Sequence, residues 1–515
     1  MLEQWRLKLA RLIAPVQKRL YATARNSRLL SSWVTPTSSA DAELHASLDK
    51  LRDRSRALIR DNAYAKRAQA VVVNNVIGSG IGLQAEVVNQ RGTLQENVNE
   101  AIEDAWEEWC CADCCHTGGA LHFADIERLL VGQIFEAGEI FVRLHFAAFG
   151  ASRVQLGLEV IEAERLCNDR EIGDYHGNVV RMGVEVDNFQ RPQAYWIKAA
   201  HPGDLKVQLD NQQKFVRVPA AEIIHLKRTA RWPQTRGEPW MHAVMARLND
   251  LDGYAEAEIV AARASASYMG FIKSPELPSV DSQDAQSQVV MEPGLIQHLA
   301  PGEEFEGWAP NRPNPNMDPF CRLMLREIAA GLGVSYESLS RDYSQSNYSS
   351  SRLSLIDDRD TWRHLQRWYI RAFREVLHAV WLRQAVAGNA IAKLDQTSYF
   401  VAPQKFAAAS FKARGWSWVD PTKEVAAYKE AVMAGFTTVG DVIAATGGGV
   451  DLEDILEARR RELDMMAERG LVFDTDPSLL QQVSQPSTPA PIPGEDPAVE
   501  DTTPGRLYKF KRGYL

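Results

Sequence analysis

No apolar run in this chain reaches the roughly 18–20 residues that a membrane-crossing helix needs, which excludes a spanning helix. The glycine-rich turn at Gly78, Gly80 and Gly82 has no Gly-Lys-Ser/Thr after it, and it comes after a helical pattern rather than a strand. That order argues against a phosphate-cradling loop and for a tight backbone turn. His201, His225 and His242 stand singly, and no Ser-His-Asp or paired-carboxylate arrangement assembles from neighbouring motifs, so recognisable hydrolytic machinery is missing. Cysteine is sparse: of six, Cys167 and Cys321 are isolated, which suits a reducing cytoplasm without a disulfide framework. The other four crowd into Cys110, Cys111, Cys114 and Cys115, with His116 next to them. On ligand count these would suit zinc or an iron–sulfur centre, but adjacent cysteines struggle to point at one metal, and structural or free thiols are the simpler reading. Positive charge is also in deficit, with 58 Lys and Arg against 67 Asp and Glu and a net charge of −9. That balance excludes a protein that grips nucleic acid over its whole surface.

What is present is an ordinary globular composition, 45% hydrophobic and 24% charged over 515 residues, enough for roughly two to four domains. Residues 1–30 carry Arg6, Lys8, Arg11, Lys18, Arg19, Arg25 and Arg28 against Glu3, with Leu2, Trp5, Leu9, Leu12, Val16 and Leu20 on a helical period. This segment reads as a flexible or partner-binding basic arm, a helix packed on the body, or a membrane-surface helix or transit peptide. Helical patterning runs from Ala40 to Arg67, continues from Ala68 to the glycine turn and recurs over 95–116. Residues 121–228 alternate short strands with turns (Ile134 to His145, Leu156 to Ile161, Val179 to Val186, Gln193 to Ile197, Glu222 to Lys227), which predicts an antiparallel sheet. An alanine-rich helix is predicted over 240–272, short strands at Gly294 to Leu299 and Phe305 to Trp308, and helices near 421–434, 438–445 and 451–469. From Pro477 to Pro504 the composition turns to Pro, Ser, Thr, Asp and Glu, which predicts a disordered tail. The class expected is α+β.

The most informative stretch is Arg322 to Arg383. A helical run through Ala330 breaks at Gly331 and Gly333; then Ser338 to Ser351 (SLSRDYSQSNYSSS) has no hydrophobic period and predicts a polar loop. A long helix comes next, with Trp362, Leu365, Tyr369, Phe373, Val376 and Val380 on one face. Arg359, Arg363, Arg367 and Arg371 climb another, either as a solvated face paired with Asp357, Asp358, Asp360 and Glu375 or as cations aimed at a polyanion. No residue here is arranged for bond-making chemistry.

The segment 325–352, LREIAAGLGVSYESLSRDYSQSNYSSSR, resembles one shared by the lambda-type family of phage portal proteins. Collinear stretches carry the same resemblance: RAQAVVVNNVIGSGIGLQA at 67–85, HPGD at 201–204, RVPAAEIIHL at 217–226, RGEPW at 236–240, EPGLIQHLAPGEE at 292–304 and WVDPTKE at 418–424. The resemblance covers roughly residues 50–470. It implies a portal-type α+β fold: a basic arm (1–40), a mixed wing (41–245), two stem helices (246–276 and 317–339) around a clip (277–316), a tunnel loop (340–355), a long helix returning to the wing (356–415), crown-like helices (416–470) and a disordered tail (471–515).

It further implies a non-enzymatic ring, expected to have twelve subunits, at one capsid vertex. Double-stranded DNA would enter through it under the terminase large subunit and leave at infection. Major capsid and scaffold proteins and head-completion or tail-connector proteins would be its partners, in the virion and, during assembly, the host cytoplasm. No cofactor is implied. The residues implied nearest DNA are Arg341, Tyr343, Gln345, Asn347, Tyr348 and Arg352. From the residues alone, two other readings stand: a zinc- or nucleotide-dependent DNA-processing enzyme built on Cys110 to His116 and the glycine turn, and a peripheral membrane pore using the basic arm.

Overall fold

The computed structural model describes residues 37–89, 91–205, 215–266, 270–273, 304–307, 314–416, 421–446 and 452–471. The expected basic arm up to residue 36, most of the 277–316 segment with its Gly294 to Leu299 strand, and the tail beyond 471 lie outside these residues.

Helix α1 (Ala40–Asp61) starts where the Ser39 hydroxyl accepts from the Ala42 N–H, with Asp41 and Glu43 in the first turn favourably near the positive helix end. Asn62 ends it and caps α2 (Ala63–Val76), its side chain accepting from the N–H groups of Tyr64 and Ala65 at 3.0 Å. The glycine turn leads into β1 (Gly82–Ala85), then α3 (Glu96–Trp109), the short α4 (Ala112–Cys115) and α5 (Phe123–Ala137). The strand expected from Ile134 begins only at Glu139. Ile126, Leu130, Ile134 and Ala137 instead form the buried stripe of α5, which Gly138 ends in the left-handed conformation (φ 86°). An unbroken apolar run fits either period, and the change falls at that glycine.

Two antiparallel sheets come next. The first has the order β3-β2-β9, from β2 (Glu139–His145), β3 (Gly157–Ile161) and β9 (Ile223–Lys227), with Phe141 opposite both Ile161 and His225. The second is a meander, β4 (Ile172–Tyr175), β5 (Asn178–Arg181), β6 (Val184–Val186), β7 (Pro192–Lys198) and β8 (Phe215–Pro219). Phe141, Ile161, Leu166, Val184, Tyr195, Ile197 and Val218 form a small core where the two sheets meet. The antiparallel expectation holds, and the chain is mixed α+β.

Beyond the sheets lie helix α6 (Met245–Ala266), the two-stranded β10 (Gly270–Lys273) and β11 (Glu304–Gly307), then α7 (Met317–Leu332), α8 (Tyr336–Ser340) and α9 (Tyr348–Tyr369). The long helix continues through a wide π turn (Ile370–Arg374) into α10 (Glu375–Ala387). Trp362, Leu365, Tyr369, Phe373, Leu377 and Trp381 are buried, but Val376 from the expected apolar face is 45% exposed. The arginine face is in part acid-paired, Arg363 with Asp360 at 3.0 Å, and both Arg359 and Arg363 lie over the Trp416 ring. Short helices α11 (Gln396–Val401) and α12 (Pro403–Phe406) lead to β12 (Ala409–Lys412), which pairs with β1 and ties the end of this region to its beginning. Helices α13 (Pro421–Met433) and α14 (Val439–Thr446) complete the first compact unit. The second unit's described part is α15 (Leu452–Glu468), laced by its own pairs Arg459–Glu462 and Arg460–Glu457.

One buried ionic cluster joins these pieces. Glu139, wholly buried at the start of β2, accepts from Arg52 of α1, from Arg236 Nε at 2.6 Å and from the Gly237 N–H at 2.8 Å, with His225 Nε2 of β9 2.9 Å away. Arg52 also donates to the Ala137 carbonyl, and Arg236 to those of Ala163 and Met182. Gly138 and Gly237 touch so closely that a β-carbon on either would overlap the other segment's backbone. The RGEPW motif is thereby explained: its arginine meets Glu139 and its glycine lets two backbones cross. Burial alone would raise the Glu139 carboxyl, but the Arg236 and Arg52 guanidiniums outweigh it and hold it well below the usual range.

Two outcomes are expected. Glu139→Gln leaves two guanidiniums buried without their counter-charge and should cost about 3–5 kcal/mol, read from the midpoint of denaturant unfolding. Burial holds His225 down at about 4 against an ordinary 6.5, so the unfolded chain binds a proton that the folded chain refuses. Its share of stability should be present above pH 6.5 and be lost as the pH falls from about 6.5 to 4, and His225→Gln should flatten the stability–pH curve in that window.

Candidate nucleic-acid interface

The polar segment expected as one loop from Ser338 to Ser351 is a seven-residue loop, 341–347, between α8 and α9. The hydroxyls on its N-terminal side have a partner that spacing does not show. Buried Asp358, well inside the long helix, accepts from the Ser335 N–H (3.0 Å), the Ser335 hydroxyl (2.6 Å) and the Ser338 hydroxyl (2.9 Å). These bonds fix α8 against α9 and satisfy the helix start. The turn before α8 is anchored too: Gly333 takes the left-handed conformation (φ 70°), and the Trp240 indole of the RGEPW motif donates to the Leu332 carbonyl at 3.0 Å.

Asp342 sets the loop itself. Its carboxylate accepts from the Ser344 N–H (3.0 Å) and the Tyr336 hydroxyl (2.8 Å), and Arg322 lies 3.7 Å away. The bonds from Ser344 and Tyr336 hold its pKa at about 2, so it is an anion at any physiological pH. Arg341 sits just before it with positive φ (57°), its N–H donating to the Glu337 carbonyl at 2.9 Å. The base of the loop is tied while its crest faces outward.

The six expected residues do not act as one group. Arg341, Tyr343, Gln345 and Asn347 lie exposed along the crest, Tyr343 at 60%. Tyr348 is the first residue of α9. Arg352 stands a turn further on, its guanidinium 3.9 Å from Glu424 of α13, so its charge is turned to a helix–helix contact. The crest gains a cation that the sequence pattern does not reveal. Arg67 of α2 donates to the Ser338 carbonyl at 3.1 Å; burial lowers its pKa, and the Arg341 charge lowers it further. With 274 positions between Arg67 and Arg341, no local pattern pairs them.

The alternative sites are filled by protein. Cys110, Cys114 and Cys115 are buried, and the Cys115 thiol donates to the carbonyls of Cys110 (3.4 Å) and Leu121 (3.6 Å). Burial pushes the Cys115 thiol up to about 12. Among the described residues no group of three or more His, Cys, Asp or Glu is placed to hold a metal ion. At the glycine turn, Gly78 (φ 66°) and Gly80 (φ 131°) need their freedom for the backbone path; Arg128 donates to the Gly78 carbonyl and Arg374 to that of Ile81.

Residues 26–366 match the model of the lambda family of phage portal proteins. A probable portal protein of Halomonas phage phiHAP-1 is 29% identical over 448 residues, covering 85% of each chain. Portal protein B of Escherichia phage lambda is 25% identical, covering 86% of this chain and 88% of its own. Among solved structures, a chain from the virion of a native gene transfer agent particle aligns over 81% of this chain and 98% of its own, with 14% identity and a TM-score of 0.39. An HK97-family phage portal protein from Corynebacterium diphtheriae aligns over 59% and 84%, with 11% identity and a TM-score of 0.29.

Asp358→Ala should free Ser335 and Ser338 at a cost of about 1–3 kcal/mol and loosen the loop. Limited trypsin digestion should then cut after Arg341 faster than in the parent chain, while cleavage elsewhere keeps its rate.

Proposed function

The chain belongs to the lambda family of phage portal proteins, and we propose that it acts as that membership implies: as a structural channel component of a phage head, through which DNA is packaged, rather than as an enzyme. The observation that carries this is the family match over residues 26–366, with relatives aligned along most of both chains. In this reading identical subunits close into a ring, twelve by family expectation, at one vertex of the capsid. The terminase large subunit drives double-stranded DNA in, head-completion and tail-connector proteins dock afterwards, and major capsid and scaffold proteins surround the ring during assembly in the host cytoplasm. Closed symmetry lets a chain without a reactive site work, because the hole exists only in the assembly.

The stem reading of 246–276 and 317–339 is supported by the pairing of α6 with α7. Tyr254 packs edge-on against Phe320 at 5.0 Å, Arg247 lies 3.3 Å from Glu327, and Asn314 donates to Glu258 at 3.0 Å. Ile259, Val260 and Leu323 stay half or more exposed on this pair, an apolar surface that a neighbouring copy would cover. The wing (41–245) corresponds to the sheets and the Glu139 cluster, and the crown-like region to 416–470; the clip falls in 277–316.

The tunnel loop is proposed as the crest at 341–347. Tyr343, Gln345 and Asn347 offer hydrogen bonds and soft surface, while Arg341 with Arg67 behind it adds little charge per subunit. Repeated around a ring, that charge becomes a band, and the net charge of −9 keeps the walls from holding phosphates tightly.

Light scattering with negative-stain images of the purified full-length chain should give a ring of about twelve subunits with a central hole; a stable monomer or dimer in the presence of scaffold protein would count against the reading. Arg341→Ala should leave rings intact and lower the DNA retained per head several-fold. Heads that fill and hold DNA normally with this variant would remove the crest from the tunnel assignment.

A further inference from the structure

Six buried polar atoms gather where α5 meets the π turn of the long helix. They are Glu127 Oε1, Tyr369 OH, Arg374 Nε and Nη1, His378 Nε2 and Trp381 Nε1, and none has a hydrogen-bond partner among the described residues. All five side chains are 2% exposed or less. They share one neighbourhood. Arg374 Nε lies 3.6 Å from Glu127 Oε1, beyond hydrogen-bond reach, and its guanidinium stands 5.1 Å from the Trp106 ring. The same ring meets Trp381 at 4.9 Å and His378 at 6.0 Å, and His378 stacks on Trp381 at 5.8 Å. The Tyr369 phenol lies within the fields of both Glu127 and Arg374.

Buried polar groups in native proteins are hydrogen-bonded; Glu127 Oε1 and Arg374 Nε meet each other only as an ion pair at 3.6 Å, and the other four atoms have no hydrogen-bond partner among the described residues, so the cluster calls for a partner that is not protein. The donor and acceptor complement identifies it. Two guanidinium nitrogens and the indole nitrogen only donate, Glu127 Oε1 accepts when ionised, and the phenol and the imidazole nitrogen can serve either way. An anion would sit against the Glu127 carboxylate and a cation against Arg374. Water, which both donates and accepts, satisfies all of them. Burial pushes the Glu127 carboxyl up to about 7, and water also suits either of its protonation states. The wide turn at Ile370–Arg374 gives the cause, because a five-residue turn interrupts the regular ladder at the point where Arg374 enters the core.

We infer that Glu127, Tyr369, Arg374, His378 and Trp381 form a solvent-binding chamber whose ordered water molecules bridge α5 to the long helix. The protein side of this joint is already doubled at Ile81, whose carbonyl accepts from Arg374 and whose N–H donates to Glu127.

A density map of the assembled full-length protein at roughly 2 Å should show at least two solvent peaks, each about 2.6–3.2 Å from two or more of these atoms. Thermal unfolding of Tyr369→Phe gives a second readout, since it removes the hydroxyl and keeps the ring. In a hydrated chamber the substitution strips a bound water of a partner and lowers the midpoint by a few degrees. In a dry one it removes an unmet polar group and raises the midpoint. No solvent density at the six atoms, or a midpoint that rises in this variant, would overturn the assignment.

Discussion

The wholly buried carboxylate of Glu139 is the constraint on which the sheet region depends. Two guanidiniums, an imidazole and a backbone N–H converge on it from α1, β9 and the 236–237 segment, elements far apart in the chain. An ion buried this deeply is tolerated only with its counter-charges in place, and Arg236 and Arg52 send further hydrogen bonds to the carbonyls of Ala163, Met182 and Ala137. The cluster is therefore a fastening specific to one arrangement: displacing any one element would strand a charge in the core. The crossing of Gly138 and Gly237 permits it, because their backbones approach more closely than side chains would allow.

A second buried ion, Arg374, has a similar role in the helical half. Its guanidinium lies among Trp106, Phe123 and Phe411 and binds the Ile81 carbonyl, so the long helix, the glycine turn and α3 are held as one body. The β1–β12 pairing closes the same region from the other side. On this frame the 341–347 crest is supported from below by Asp342 and Asp358, two anions that face inward to hydroxyls and N–H groups. The charges left outward along the crest are cationic.

Much of the fold is legible in the sequence wherever a property is local. The breaks at Gly78 and Gly333, the long helix after the polar segment and the hydroxyl-rich crest all derive from composition and spacing over a few residues. Where sequence and structure part, the cause is specific. Ile134 reads as strand because an unbroken apolar run fits two periods. Val376 reads as buried because an ideal 3.6-residue period cannot show the π turn, which rotates the helical residues after it. The polar loop reads too long because Asp358, which satisfies its serines, lies beyond it in the chain.

Family-like motifs, charge balance and the order of helices and strands are one-dimensional properties, and the sequence by itself determined them, along with a portal-type reading of this chain. Which charges meet was decided by tertiary structure alone. Glu139 finds Arg236 across 97 positions, Arg67 comes beside Arg341, Arg352 leans toward Glu424, and Cys110, Cys114 and Cys115 sink into the core while Cys111 stays exposed. The physical reason is that burial and pairing depend on distance in space, and folding brings together residues whose separation along the chain carries no trace of it.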